Sequence, residues 1–192
     1  MNRVAERSGL TAAEYLAWER EQPTKHEYFD GNVFARDSGS LRHNALSAGI
    51  AAVLHDALQG RGCFLFSSDL RIGIGGGARY VYPDVSAACG GVQCQEGTND
   101  VLVNPQVVVE VLSQGTERYD RGLKWASYQQ VSSLTDYVLV SQSEVRIEHY
   151  RREAGGRWGY RALGPGERLE LTNGATLEVD AIFDGAFELP GD

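Results

Sequence analysis

No apolar run in this 192-residue sequence approaches the roughly 18 residues that a membrane-spanning helix needs. The opening residues 1–10 carry no apolar core of the kind that marks a secretion signal. The expectation is a soluble, cytoplasmic protein. Cysteine is scarce: Cys63, Cys89 and Cys94 are an odd number, spaced neither as a disulfide framework nor as a CxxC metal or redox pair. Cys63 and Cys89 lie in apolar stretches and read as core thiols. Basic residues are in the minority, 18 Lys and Arg against 26 Asp and Glu. A net charge of −8 denies the molecule a general electrostatic grip on phosphate backbones, so any contact with nucleic acid has to be local.

Internal repeats and low-complexity tracts are also missing. There is no Gly-x-Ser-x-Gly elbow and no cysteine with a histidine close by in sequence, which leaves a nucleophile-based hydrolase little support. Gly73, Gly75, Gly76 and Gly77 lack the Gly-Lys-Ser/Thr ending of a phosphate loop and lead into a strand instead of a helix, so they read as a hairpin turn. What remains is a globular composition, 42% hydrophobic and 23% charged. It is read as one domain over residues 1–192, with a core at about 11–151 and a β extension at about 152–192.

Thr11 followed by Glu14 caps a first helix carrying Leu16 and Trp18, which Pro23 ends. Residues 25–30 and 33–36, joined through Asp30, Gly31 and Asn32, predict a hairpin. Leu46, Ile50, Val53, Leu54 and Leu58 recur at helical spacing and predict a second helix over 41–59 that packs on a sheet. Strands follow at 63–66, 69–74 and 80–88, then a loop at 90–104. The β-branched run 106–112 has the pattern of a strand buried on both faces, yet it holds Glu110. A helix over 116–130, strands at 136–140 and 145–150, and a terminal meander from residue 155 complete an α/β pattern.

Two acids stand where apolar strands begin or pass: Asp84 after Tyr82 and Pro83, and Glu110. An isolated carboxylate is costly to bury unless a cation or strong donors meet it. Taken singly, Asp84 could cap a turn and Glu110 could pair with an arginine. Together on neighbouring strands they suit a hard divalent ion such as Mg²⁺ or Mn²⁺. Asp120, Lys124 and Tyr128 recur at i, i+4, i+8 and share one helix face, from which Lys124 can reach toward the carboxylates. A surface salt bridge is the plain alternative for Asp120 and Lys124. Gly122 weakens that helix by ~1 kcal/mol relative to Ala, so propensity alone does not explain the segment.

The hairpin from Lys25 to Gly31, His43 at the start of the second helix, Tyr82 to Val85, Val109 to Ser113, Asp120 with Lys124 and Tyr128, and the strand 136–140 occur in an order that resembles a known family. It is the Uma-two-type, restriction endonuclease-like family of the PD-(D/E)xK nuclease superfamily. The resemblance implies an α/β restriction endonuclease-like core, a mixed central β-sheet flanked by helices, here with an additional C-terminal β-meander. It also implies metal-dependent endonuclease activity on DNA. Asp84 and Glu110 would bind Mg²⁺ or Mn²⁺ with the carbonyl of Val111, and Glu27 would complete the surroundings directly or through water. The superfamily lysine position is Leu112 here, so Lys124 becomes its substitute, with Asp120 and Tyr128 in support. His43 would touch phosphate, cap or pack. Gln114 and Gly115 stand where relatives often carry a proline.

Arg71, Arg79, Arg118, Arg121 and the six arginines between 146 and 168 could form one local basic face for DNA. Dimerisation would bring two such faces together, and the resemblance implies a homodimer, with Trp158 and Tyr160 as aromatic residues for its interface. The missing lysine at position 112 also allows a different class: a non-catalytic nucleic-acid-binding or assembly module that retains the nuclease fold. His26, His55 and His149 are left outside the site, His26 because side chains alternate along a strand and it faces away from Glu27.

Overall fold

The computed structural model describes residues 5–36 and 38–191; residues 1–4, part of the segment read for a signal core, lie outside them. The chain starts with β1 (Arg7–Ser8) and α1 (Ala12–Glu19), whose Thr11 and Glu14 form a reciprocal capping box. β2 (His26–Phe29) and β3 (Asn32–Ala35) form the expected hairpin. Asp30 and Gly31, at φ 45° and 91°, supply the two left-handed residues of its turn, a conformation glycine adopts freely and aspartate tolerates. α2 (Leu41–Leu58) begins at Ser40, whose hydroxyl accepts from the His43 amide. Next come β4 (Cys63–Ser67), β5 (Arg71–Ile74), β6 (Arg79–Val81), β7 (Val85–Cys89), β8 (Val101–Leu102) and β9 (Val107–Val111). After β9 lie the helical segment, β10 (Asp136–Val140), β11 (Ile147–Arg152), β12 (Trp158–Leu163), β13 (Arg168–Glu170), β14 (Thr176–Glu178) and a closing helix (Val179–Phe183).

There are two six-stranded sheets instead of one: β1-β3-β2-β6-β5-β8 and β12-β11-β10-β9-β7-β4. The second is mixed, with β9 parallel to β10 and antiparallel to β7. The single strand read over 80–88 is in fact two, one in each sheet. The break falls at Tyr82, Pro83 and Asp84, because Pro83 has no N–H to give a ladder. That break carries Asp84 to the seam between the sheets.

All of β9 is buried. Val107, Val109 and Val111 pack with Leu46, Ile50 and Leu54 of α2. Val108 belongs to the opposite cluster, with Tyr128, Tyr137 and Leu139. Strand alternation therefore turns Glu110 to the Tyr128 side, away from α2.

The helix expected over 116–130 is divided into α3 (Glu117–Tyr119), a π-helical turn (Asp120–Lys124) and α4 (Trp125–Tyr128). Gly122 sits within the wide turn, and the Asp120 carbonyl accepts a hydrogen bond from the Tyr137 hydroxyl at 3.0 Å. Such turns concentrate at functional sites. The terminal meander is also only partly realised. β12 joins the second sheet as its edge, β13 and β14 form a separate ribbon, and Val179, Ile182 and Phe183 form the helix α5 against α2. Their 3- and 4-residue spacing carried the helical signal.

Cys63 and Cys89 are cross-strand partners of β4 and β7 and are joined in a disulfide, so they are not core thiols; Cys94 is free and exposed. Their pairing is set by strand register, which spacing along the chain does not reveal. Among the described residues no helix is long and apolar enough to cross a membrane.

Candidate active site

Four separate elements deliver the charged residues. Glu27 comes from β2, Asp84 from the seam between β6 and β7, Glu110 from β9 and Lys124 from the π-helical turn. Lys124 Nζ stands 2.9 Å from Glu110 Oε1, 3.2 Å from Glu27 Oε1 and 3.6 Å from Asp120 Oδ1. Glu27, Glu110 and Lys124 are 1%, 2% and 4% exposed, so this is a buried ion cluster and not a surface salt bridge. Tyr128 donates to Glu110 Oε1 at 3.0 Å, and Tyr119 donates to Glu27 Oε2 at 2.8 Å. The helix face read from i, i+4, i+8 is thus directed at the sheet, as expected.

Asp84 is held separately. The Val111 amide donates to Oδ2 at 2.7 Å, His43 Nε2 lies 3.2 Å from the same oxygen, and an Arg36 Nη donates to Oδ1 at 2.6 Å. Asp84, Glu27, Asp120, Lys124, Arg36, His43 and Val111 line a cleft of about 420 Å³; Glu110 lies behind that lining. Neither single-residue alternative is seen in its simple form. Glu110 pairs with a lysine, and Asp84 receives the Val111 amide from the adjacent strand β9.

Burial drives the protonation states. It pushes the Glu110 carboxyl up to about 8 although Lys124 opposes the shift, and it raises Asp120 in the same way. At Asp84, burial alone would raise the carboxyl. The His43 hydrogen bond and charge, with Arg36 and Lys124, outweigh it and hold the group at about 2. For Lys124, burial favours the neutral amine, but Glu110, Glu27 and Asp120 keep it charged. Four acids, Glu27, Asp84, Glu110 and Asp120, face Lys124 and Arg36, an excess of negative charge.

Arg36 was missed by sequence reasoning. It sits at the end of the hairpin as an ordinary solvated arginine would, and only the fold carries it to Asp84. Tyr119 was also missed. The proposed basic face is not assembled at the cleft: Arg71 is buried against Asp100, Arg79 bonds Ser127, and Arg121 and Arg146 both engage Glu148. His26 lies beside Glu19, His149 beside Asp136, and His55 next to Asp56, all outside the cleft lining as expected.

Replacing Tyr128 by phenylalanine removes a donor from a buried carboxyl while keeping the ring. It is expected to destabilise the fold by about 1–3 kcal/mol, read as a lower urea midpoint at unchanged slope. An unchanged midpoint would show that the Tyr128–Glu110 bond contributes nothing.

Residues 12–187 match the model of the Uma2 family, described as "Putative restriction endonuclease". Two Synechocystis sp. (strain ATCC 27184 / PCC 6803 / Kazusa) relatives are each described as an uncharacterized protein. One, slr1290, is 38% identical over 177 residues, 92% of each chain. The other, sll1609, is 30% identical over 168 residues, 88% of this chain and 94% of that one. A crystal structure of a "putative nuclease belonging to DUF820" from Anabaena variabilis ATCC 29413 superimposes with a TM-score of 0.76 over 92% of this chain and 99% of that one. At 17% identity this shows a shared fold, and that fold is the restriction endonuclease-like one expected from the sequence.

Proposed function

We propose that this chain, which belongs to the Uma2 family, is a divalent-metal-dependent endonuclease that hydrolyses phosphodiester bonds in DNA. The observation that carries the reading is one cleft lined by Asp84 and by Glu27 and Lys124, the last two joined to Glu110 in a buried ion cluster behind it. A structural ion cluster has no need of the cleft.

The donor chemistry fits Mg²⁺ or Mn²⁺. All the acids offer hard oxygen, and the charge excess is one a divalent cation would neutralise. Among the described residues no three His, Cys, Asp or Glu groups stand together as a ready cage. Mg²⁺ does not ask for one, since it keeps several waters and borrows one or two carboxylates plus substrate phosphate. Asp84 and Glu110 would hold the ion with the Val111 carbonyl, and Glu27 would act directly or through water. When bound, the ion supplies Lewis acidity to a water and to the phosphoryl oxygens.

The chain's own residues do the positioning. The Val111 amide fixes the Asp84 carboxylate, and Tyr128 fixes that of Glu110. Lys124, held by Glu27 and Asp120, is the cation that orients the attacking water or offsets charge developing on the phosphate. The position that is Leu112 then needs no lysine, because the π-helical turn brings Lys124 to Glu110 from another element. His43 serves Asp84, with phosphate contact as its second role. Action as a homodimer in the cytoplasm belongs to the same proposal, with exposed Tyr160 on the edge strand β12 as the aromatic surface for it.

A non-catalytic binding module is the second reading, favoured by one observation: Asp84 is already engaged by Arg36, His43 and the Val111 amide. Supercoiled plasmid and circular single-stranded DNA incubated with Mn²⁺ separate the two. The expected result is cleavage that chelator abolishes and that Glu110→Gln lacks. Binding of either DNA without cleavage, or cleavage undiminished in Glu110→Gln, contradicts the proposal.

A further inference from the structure

Asp84 has roughly four lone-pair positions, and three are in use. Their holders differ in how readily they can leave. The Val111 amide is backbone in a central strand, bonded to Oδ2. His43 sits on the first turn of α2 and approaches the same oxygen. Oδ1 is taken by Arg36, which follows the last residue of β3 on a side chain 19% exposed and lining the cleft. A cation that coordinates Asp84 from the cleft meets Arg36 on the oxygen it needs. Two cations cannot share that oxygen without strong repulsion, and the flexible guanidinium is the partner able to move.

We infer that Arg36 is an exchangeable counter-ion: it occupies the metal-binding oxygen of Asp84 in the free protein and passes to a phosphate oxygen of the substrate strand when metal arrives. This rests on the reading of the cleft as a metal-dependent phosphodiesterase site. The planar fork of arginine suits either acceptor, since carboxylate and phosphate both present paired oxygens to it. Metal and phosphodiester binding are thereby coupled through one side chain, and linkage requires each to favour the other. The same contact that favours the binding-module reading becomes a resting state of the nuclease site. Lys124 cannot perform this exchange, because Glu27, Glu110 and Asp120 surround its buried ammonium.

The test is Arg36→Gln, with Arg36→Lys as a variant that keeps the charge but not the fork. Titration with Mn²⁺ alone, by calorimetry on protein shown to be folded by circular dichroism, reads the first half. Arg36→Gln is expected to bind Mn²⁺ about tenfold more tightly than the wild type, a gain of about 1.4 kcal/mol. Binding of a short fluorescein-labelled DNA duplex in Ca²⁺ reads the second half. There Arg36→Gln is expected to bind about tenfold more weakly, with Arg36→Lys between it and the wild type. The opposite signs are the signature of exchange, because general loss of structure would weaken both. Mn²⁺ binding by Arg36→Gln with none by the wild type supports the inference more strongly still. Unchanged or weaker Mn²⁺ binding in Arg36→Gln overturns it, whereas no Mn²⁺ binding in any variant overturns the nuclease reading on which it rests. Unchanged duplex binding removes the phosphate half.

Discussion

Replacing Lys124 by methionine is expected to destabilise the protein by about 3–5 kcal/mol and to abolish DNA cleavage. Methionine matches the length and fills the space, so packing changes little and the loss reports charge. Glu110, Glu27 and Asp120 would then share a buried site without the ammonium that now stands between them. Breaking a buried cluster on one side leaves uncompensated charge, which costs far more than the cluster contributes when whole. For a chain of this size the loss corresponds to a fall in Tm of about 6–20 °C.

The pH dependence has a definite sign. Burial already raises Glu110 to about 8 with Lys124 present, and removing the cation raises it further. A carboxyl with a raised native pKa stabilises the fold below its unfolded value, near 4.5, and loses that stability as pH rises toward the native one. Below about pH 8 Glu110 is largely protonated in both proteins, so its share of the Lys124→Met penalty opens only above that value, and the penalty is larger at pH 9 than at pH 5. Thermal unfolding of both proteins at the two values checks it. A penalty under about 1 kcal/mol at both would remove Lys124 from the account.

Asp84→Asn is the second large effect, mainly on chemistry. The amide keeps the shape and can still accept from Val111, but it offers no charge to a metal, to His43 or to Arg36. Cleavage is expected to fall by about a thousandfold, the upper range for removing one electrostatic contributor to a transition state. Stability should fall by about 2 kcal/mol at pH 7, because Asp84 is depressed from 3.8 to about 2. A depressed carboxylate contributes above its unfolded pKa, and the contribution fades as pH drops through the native one. The stability gap between wild type and variant should thus close between about pH 4 and pH 2. Single-turnover cleavage and denaturant unfolding across pH measure the two parts. Full cleavage by Asp84→Asn would contradict the assignment of Asp84 to the metal.

Local patterns carried the parts of the fold that local physics decides. The Thr11 capping box, the Asp30–Gly31 turn and the helical spacing from Leu46 to Leu58 each state their element within a few residues. Glu110 was legible for a different reason: a carboxylate inside a β-branched strand is a conflict that only a partner resolves, and Lys124 on the neighbouring helix face was the available cation. The failures are non-local. Pro83 is a strand-break signal that the reading of 80–88 as one strand passed over, and nothing local shows that the halves join different sheets. Cys63 and Cys89 needed a strand register, and Arg36 needed the hairpin placed against the seam. The π-helical turn is met by Tyr137, whose hydroxyl donates to the Asp120 carbonyl from a strand that follows it in sequence.

The most direct measurement of the central claim is anomalous diffraction from a crystal soaked in Mn²⁺, with an Asp84→Asn crystal treated identically. One strong peak is expected in the cleft within coordination distance of the Asp84 carboxylate, with Glu110 and the Val111 carbonyl around it, Arg36 moved off Oδ1, and no peak in the variant. A wild-type cleft without Mn²⁺, or Mn²⁺ bound equally in both crystals, would contradict it.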